Sequence, residues 1–274
     1  GRRNAPMQRL TLNRGQRSFA MVFCLMPILL GALLPVLALG TMAIGSEQDL
    51  LSPRYLGFIK NSLTLASIAA VFAVIAALVL GTLHRVRANR WTGTSLYLTR
   101  IGYAVPGGVI AVGLLVPFAA FDNSLDAWMR ATFDISTGLL FTGSIWLLIF
   151  AYLIRFLAAA IGAYEGGIAT VGPNMDAAAR TLGQDMPGLV RRVHIPLLRT
   201  SLLTAGLIVF VDVMKELPAT LIMRPFNYDT LAVQAYRLAS DERLEGAAVP
   251  SLVIAAIGLI PVILLCRRIG KGRA

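Results

Sequence analysis

Charge is what this sequence has least of. Only 14% of its 274 residues are Asp, Glu, Lys or Arg, against 57% hydrophobic. That balance excludes a soluble domain, which needs far more polar surface at this length. Cysteine is nearly absent. Cys24 and Cys266 lie in separate apolar runs, with neither metal-ligand spacing nor a disulfide framework, and read as buried inert thiols. The two histidines, His84 and His194, belong to no His-Glu-x-x-His pattern, and no paired-aspartate signature accompanies them, so an intramembrane enzyme has no constellation to stand on. The phosphate loop G-x-x-x-x-G-K-[ST] is missing too. Gly270-Lys271 stands in the tail without the rest of it.

What the sequence does have is long apolar runs. Several reach the roughly 20 residues that a helix needs to cross a bilayer, and they do not alternate as barrel strands would. The reading is an all-α polytopic membrane protein with six spans, near 19–44, 59–83, 97–121, 138–163, 200–223 and 248–267. Residues 1–18 form a basic leader, 19–268 the six-span domain and 269–274 a tail. The chain opens on Gly1 and a polar Gly-Arg-Arg-Asn-Ala-Pro, which reads as a processed or excised piece.

The net charge of +11 is divided by side of the membrane. Arg2, Arg3, Arg9, Arg14 and Arg17 precede the first span. Arg85, Arg87, Arg90 and Arg100 lie in or beside the second connection, Arg180, Arg191, Arg192 and Arg199 the fourth, and Arg267, Arg268, Lys271 and Arg273 the C-terminus. The other side has Arg54, Lys60, Arg130, Arg224, Arg237 and Arg243, with most of the acids. Cytoplasmic loops carry the excess of Lys and Arg, so both termini and the 164–199 connection are expected in the cytoplasm.

That connection is too long for a plain hairpin. Asn174 is expected to cap a helix over 175–182, with Gly183 in the left-handed position after it. Asp185 caps a second piece with Pro187 in its first turn. Ala177, Ala178 and Ala179 leave the first helix thin enough to sit deep in a partner's groove. Pro196 ends the segment and starts the turn into the fifth span. Without a partner the same helix would lie on the membrane, with Arg191 and Arg192 at lipid phosphates.

Asp176-Ala-Ala-Ala-Arg-Thr-Leu-Gly183, followed by Val193-His-Ile-Pro196, resembles the E-A-A-x3-G-x9-I-x-L-P loop of ABC-transporter permeases. Ala178, Ala179, Gly183 and Pro196 match in register, and Val193 and Ile195 are conservative matches. Ala177 occupies the glutamate position, with Asp176 beside it and Arg180 after the alanines. The resemblance implies an importer permease whose coupling helix docks in a cleft of a cytoplasmic ABC ATPase dimer. ATP and Mg are then used by that partner, and this chain is not an enzyme and binds no cofactor. It further implies a periplasmic binding protein, a second six-span half (fused or a second copy) and the bacterial inner membrane.

Asn61-Ser-Leu-Thr-Leu-Ala66, Gly102 to Leu114, Phe150-Ala-Tyr-Leu-Ile-Arg-Phe156 and Lys215-Glu-Leu-Pro-Ala-Thr-Leu221 with Asp229-Thr-Leu-Ala-Val233 narrow the resemblance to the C-terminal half of a ferric-iron permease. The basic leader then corresponds to a linker between halves. Permeases for thiamine, polyamines, sulfate or phosphonates share the core, and nothing in the spans is an iron site by ligand chemistry.

Asp212, Lys215 and Glu216 stand a turn apart in the fifth span. Either an acid lines a cation's passage, or the three form an internal ion pair ahead of a kink at Pro218. Pro106 allows another kink in the third span. Arg155 is expected to snorkel to headgroups or pair with Glu165. An ion-driven secondary transporter would need such charges but no ATPase dock, so deletion of 176–190 would leave its transport intact.

Overall fold

The computed structural model describes residues 12–271. Most of the leader, 1–11, and the last residues of the tail, 272–274, lie outside the described residues. The fold is all-α. In chain order the helices are α1 (Arg14–Ile28), α2 (Leu34–Ile44), α3 (Pro53–Val86), α4 (Arg90–Ala104), α5 (Gly107–Phe133), α6 (Ile145–Ile168), α7 (Pro173–Thr181), α8 (Met186–Leu189), α9 (Ile195–Met214), α10 (Pro218–Met223), α11 (Leu231–Ser240) and α12 (Leu244–Lys271). Among the described residues, six helical stretches are long and apolar enough to cross a bilayer.

The first of these is α1 and α2 joined through a π turn at Leu29–Leu33. Pro35 follows that turn and lacks an N–H to donate back, and the wider turn absorbs the gap. No residue of α1, the turn or α2 is buried by the rest of the chain. Cys24 is exposed there and Cys266 is exposed on α12, so neither is the buried thiol expected from its apolar surroundings. An apolar run in a membrane protein faces lipid or partner as readily as its own core.

The core is made by α3, α6 and α9, each packed against the other two. On α3 it is a stripe of small side chains: Ala66, Ala69, Ala70, Ala73 and Ala77 are all buried. This helical spacing lets backbones approach closely, which is how spans adhere where lipid is as apolar as leucine. Tyr152, Tyr164, Leu148, Ile161, Leu198 and Val209 fill the space between the three helices.

Three expected boundaries change. The third span begins at Gly107, not 97, because the helix breaks at Val105–Pro106. Pro106 has no N–H, and Val105 before it is extended, as a residue preceding proline prefers. The fourth begins at Ile145 rather than 138. Gly138 and Gly143 hold the preceding loop with positive φ, and the Ser144 hydroxyl caps Leu147 N–H. The fifth is longer at its start and broken near its end. It runs continuously from Met186 to Met214, and Lys215–Leu217 then separates it from α10. The 224–247 segment, expected as a loop, contains α11, whose Leu231, Val233 and Leu238 are buried.

Candidate functional site

The 164–199 connection leaves α6 and turns at 169–172 into α7. Gly172, not Asn174, stands at the N-cap, and Pro173 takes the first helical position, where its missing N–H costs nothing. The helix stops at Thr181, and Gly183 follows with φ +78°, a conformation that would strain any side-chain-bearing residue. Asp185 then caps α8, its carboxylate accepting from Gly188 N at 2.8 Å, with Pro187 in the first turn. Pro196 does not end the segment. A π turn at Val190–His194 joins α8 to α9 without interruption, and Pro196 lies in the first turn of α9.

Asp176 faces inward. One carboxylate oxygen accepts from Arg85 Nε at 2.5 Å and the other meets His194 Nε2 at 3.0 Å. The Arg85 guanidinium spends its remaining donors on backbone carbonyls. Its Nη1 reaches Ile168 at 3.0 Å, and its Nη2 reaches Val171 at 2.8 Å and Gly172 at 3.3 Å. It therefore satisfies the carbonyl end of α6 and holds the turn leading to α7. His194, wholly inaccessible, turns its other ring nitrogen to Thr82 Oγ at 3.4 Å, and Thr82 bonds the Tyr164 hydroxyl at 3.1 Å. One carboxylate thus ties α7 to the end of α3 and to the π turn before α9, and Arg85 and Thr82 carry the tie to α6.

Burial would raise the pKa of the Asp176 carboxyl. The hydrogen bonds from Arg85 and His194, with the charge beside them, outweigh burial and hold it below the ordinary carboxylate value. Asp176 is therefore an ionised, occupied anchor. Its side chain, 13% exposed, is turned toward Arg85 and His194 and away from the outer face of α7.

The outer face of α7 is formed by Ala177 and Ala178, with Arg180 and with Leu182 at 80% exposure. Ala179 is buried against the body of the protein. Val193 is half-buried in the π turn, and Ile195 and Pro196 are exposed at the start of α9. Two open grooves flank Arg180. One, of about 590 Å³, is lined by Arg85, Val86, Asp176, Ala177 and Arg180. The other, of about 270 Å³, runs past Arg87, Gln184, Asp185 and Met186. The sequence reading missed Arg85, Thr82, Tyr164 and Leu189, the last completely buried under α8. Only Arg85 left a local signal, as a cation in the last turn of a long helix.

The charges of the fifth span do not share one face. Lys215 pairs with Asp212 at 2.9 Å and is 63% exposed. Glu216, 5% exposed, turns the opposite way, because the helix has already ended at Met214. One Glu216 carboxylate oxygen accepts from Ala219 N at 2.9 Å and so caps α10. Its charge partner is Arg155 Nη1 at 3.8 Å. Arg155 therefore neither snorkels nor pairs with Glu165, which instead takes both its bonds from Arg100 Nη2, at 2.8 and 2.9 Å. Pro106 and Pro218 mark complete breaks rather than bends within a continuous helix. Among the described residues, no three His, Cys, Asp or Glu side chains gather as metal ligands.

No protein-family profile matches the chain. Two solved bacterial alginate-importing ABC transporters superpose on nearly all of it. One covers 93% of this chain and 95% of its own, with TM-score 0.68 at 17% identity. The other, in complex with a periplasmic protein carrying an alginate pentasaccharide, covers 94% and 96%, with TM-score 0.72 at 16% identity. The chain has the ABC importer permease fold. Three relatives of similar sequence carry permease names. The Fe(3+)-transport system permease protein FbpB 2 of Haemophilus influenzae is 25% identical over 215 residues, which is 77% of this chain and 39% of that protein. A putative 2-aminoethylphosphonate transport system permease, PhnV of Salmonella typhimurium, is 26% identical over 214 residues and 73% of its length. A probable ABC transporter permease of Sinorhizobium fredii is 28% identical over 217 residues and 36% of its length. The chain thus spans well under half the length of two of these relatives.

Proposed function

We propose that this chain is a membrane-spanning, non-catalytic subunit of an ATP-driven ABC importer. A separate cytoplasmic ATPase dimer drives it by docking on α7 and α8, and a binding protein delivers solute on the opposite side. The observation that carries the reading is the construction of α7. Its outer face is small and exposed at Ala177 and Ala178 with Leu182 projecting beyond, while Asp176 on its inner face is fastened to α3 and to the start of α9. A helix open on one side and tied to the spans on the other passes a displacement inward as rigid-body movement. The distribution of Lys and Arg supports a cytoplasmic position for α7. A pathway needs a second six-span half, fused to this one or supplied by another copy.

The test uses the full polypeptide with its ATPase and binding protein. Ala177→Trp fills the thin face, and Leu182→Asp places a charge at its tip. Both are expected to weaken ATPase association at least tenfold and to abolish uptake while leaving the spans folded. Unchanged association in both variants would refute the docking assignment, and uptake that survives deletion of 176–190 would favour an ion-driven carrier.

For the solute, our reading is ferric iron. It is supported by the likeness to the Haemophilus Fe(3+) permease and by the resemblance of Lys215–Leu221 and the Asp229 segment. The phosphonate permease is a second reading, since it is 26% identical against 25% and this chain covers far more of it. Parallel uptake of radiolabelled ferric iron and 2-aminoethylphosphonate by the intact system decides between them.

A further inference from the structure

Two helix breaks meet near the middle of the bundle, and an ion pair sits where they meet. α4 gives way to α5 at Pro106, and α9 gives way to α10 at Lys215–Leu217. Arg155 comes from the middle of α6 and Glu216 from the second break. Both lie directly on Gly107, the first residue of α5. A methyl group there would collide with Arg155 Nη1 and with Glu216 Oε1. A side chain at 107 would have to push both side-chain ends aside, since α5, α6 and the second break converge on that point.

Two features set this cluster apart from packing glue. The first is its energetics. Arg155 Nη1 is buried with no hydrogen bond, and its 3.8 Å separation from Glu216 is a charge contact only. Glu216 is buried while the Arg155 side chain is 24% exposed, so a pair that buries a carboxylate with such incomplete bonding adds little to packing, and an apolar pair of equal volume would hold the helices comparably. The second lies behind Glu216. Ser62, Tyr152, Glu216, Thr220 and Thr230, with the apolar Leu65, Val213 and Met214 among them, line a narrow crevice that has no room for a water molecule. Its walls come from α3, α6, the end of α9, the second break, α10 and the cap of α11. Charged groups at such depth commonly face a bundle interior or a water-filled route.

We infer that Arg155 is a positioning residue for transport: by holding Glu216 at the junction of the two breaks it keeps this crevice shut, and the crevice opens when the pair parts. α10 is the movable wall, because Glu216 both caps it and receives the Thr220 hydroxyl on its carbonyl. The inference rests on the reading of the chain as a transport subunit. The readout below requires neither ATPase nor solute, so it succeeds or fails independently of the docking test.

The experiment measures thiol accessibility in membrane vesicles containing the full polypeptide. Cys24 and Cys266 are changed to serine, and Ser62→Cys supplies a small reporter in the crevice wall. Its rate of reaction with a membrane-impermeant methanethiosulfonate is then compared across variants. The Ser62→Cys parent is expected to react slowly. Glu216→Gln removes the charge partner, and Gly107→Ala wedges the two side-chain ends apart with little demand on the backbone. Each should accelerate the reaction at least tenfold. Arg155→Gln should do the same, while Arg155→Lys, which keeps the charge, restores protection to within threefold of the parent. Rates within twofold across all variants would overturn the inference. So would equal acceleration by Arg155→Lys and Arg155→Gln, which marks general loosening of the bundle. Retained heat stability of Gly107→Ala in detergent guards against misfolding.

Discussion

Replacing Asp176 by asparagine tests whether the loop is anchored as described. The carboxylate accepts one bond from a guanidinium and meets one imidazole nitrogen, in a site where both Asp176 and Arg85 are largely shielded from water. A hydrogen bond to a charged group contributes about 1.5–3 kcal/mol. Asparagine keeps one acceptor, and Arg85 keeps its three backbone carbonyls, so the shielded guanidinium loses its countercharge but not its hydrogen bonds. The expected loss is therefore about 2–3 kcal/mol, confined to the connection. Local opening governs amide exchange, so protection across 173–189 should fall roughly 30- to 140-fold while α3 and α6 stay unchanged. Mass-spectrometric exchange of the full polypeptide in lipid nanodiscs reads this directly. The pH dependence follows from the lowered pKa of Asp176. A carboxylate with a depressed folded-state pKa stabilises fully above its unfolded-state value, about 3.9. It loses that contribution as pH falls through the lower folded value. Protection corrected for intrinsic rates should stay flat from pH 8 to 5 and decline only below about pH 4. In Asp176→Asn that acid decline should vanish. An asparagine variant with wild-type protection would refute the anchoring role, whatever its transport.

Further predictions concern the same connection and the fifth span. Gly183→Ala forces a side chain into the left-handed region at a cost of about 1–2 kcal/mol, which should appear as faster proteolysis between α7 and α8. Asp185→Ala removes the cap of α8 and should raise exchange at Gly188 and Leu189 by roughly fivefold, for a loss of about 1 kcal/mol. Because Lys215 is well exposed, its pair with Asp212 contributes little, and Asp212→Asn should leave uptake within twofold. Glu216→Gln should lower uptake at least tenfold, and equal effects of the two substitutions would contradict the division of roles between them.

The spans were legible because the bilayer imposes a length that composition reveals at once. The two-piece loop was legible because Gly183, Asp185 and Pro187 each act within one helical turn. What escaped the sequence lies in directions and distant partners. Asp176 adjoins the motif alanines and nothing local tells which way it points; its orientation is decided by Arg85 and His194, 91 and 18 residues away. Glu216 looked like the neighbour of Lys215 on one helical face. Sequential residues on a helix never share a face, and here the helix has ended before either residue. Both prolines were visible as disruptions. What lies beside the breaks was not visible: Glu216 accepts from Ala219 N at the start of α10, and a methyl group at Gly107 would meet both Arg155 Nη1 and Glu216 Oε1. The missing methyl at 107 and the ion pair seated on it are thus one structural element, and neither is readable without the other.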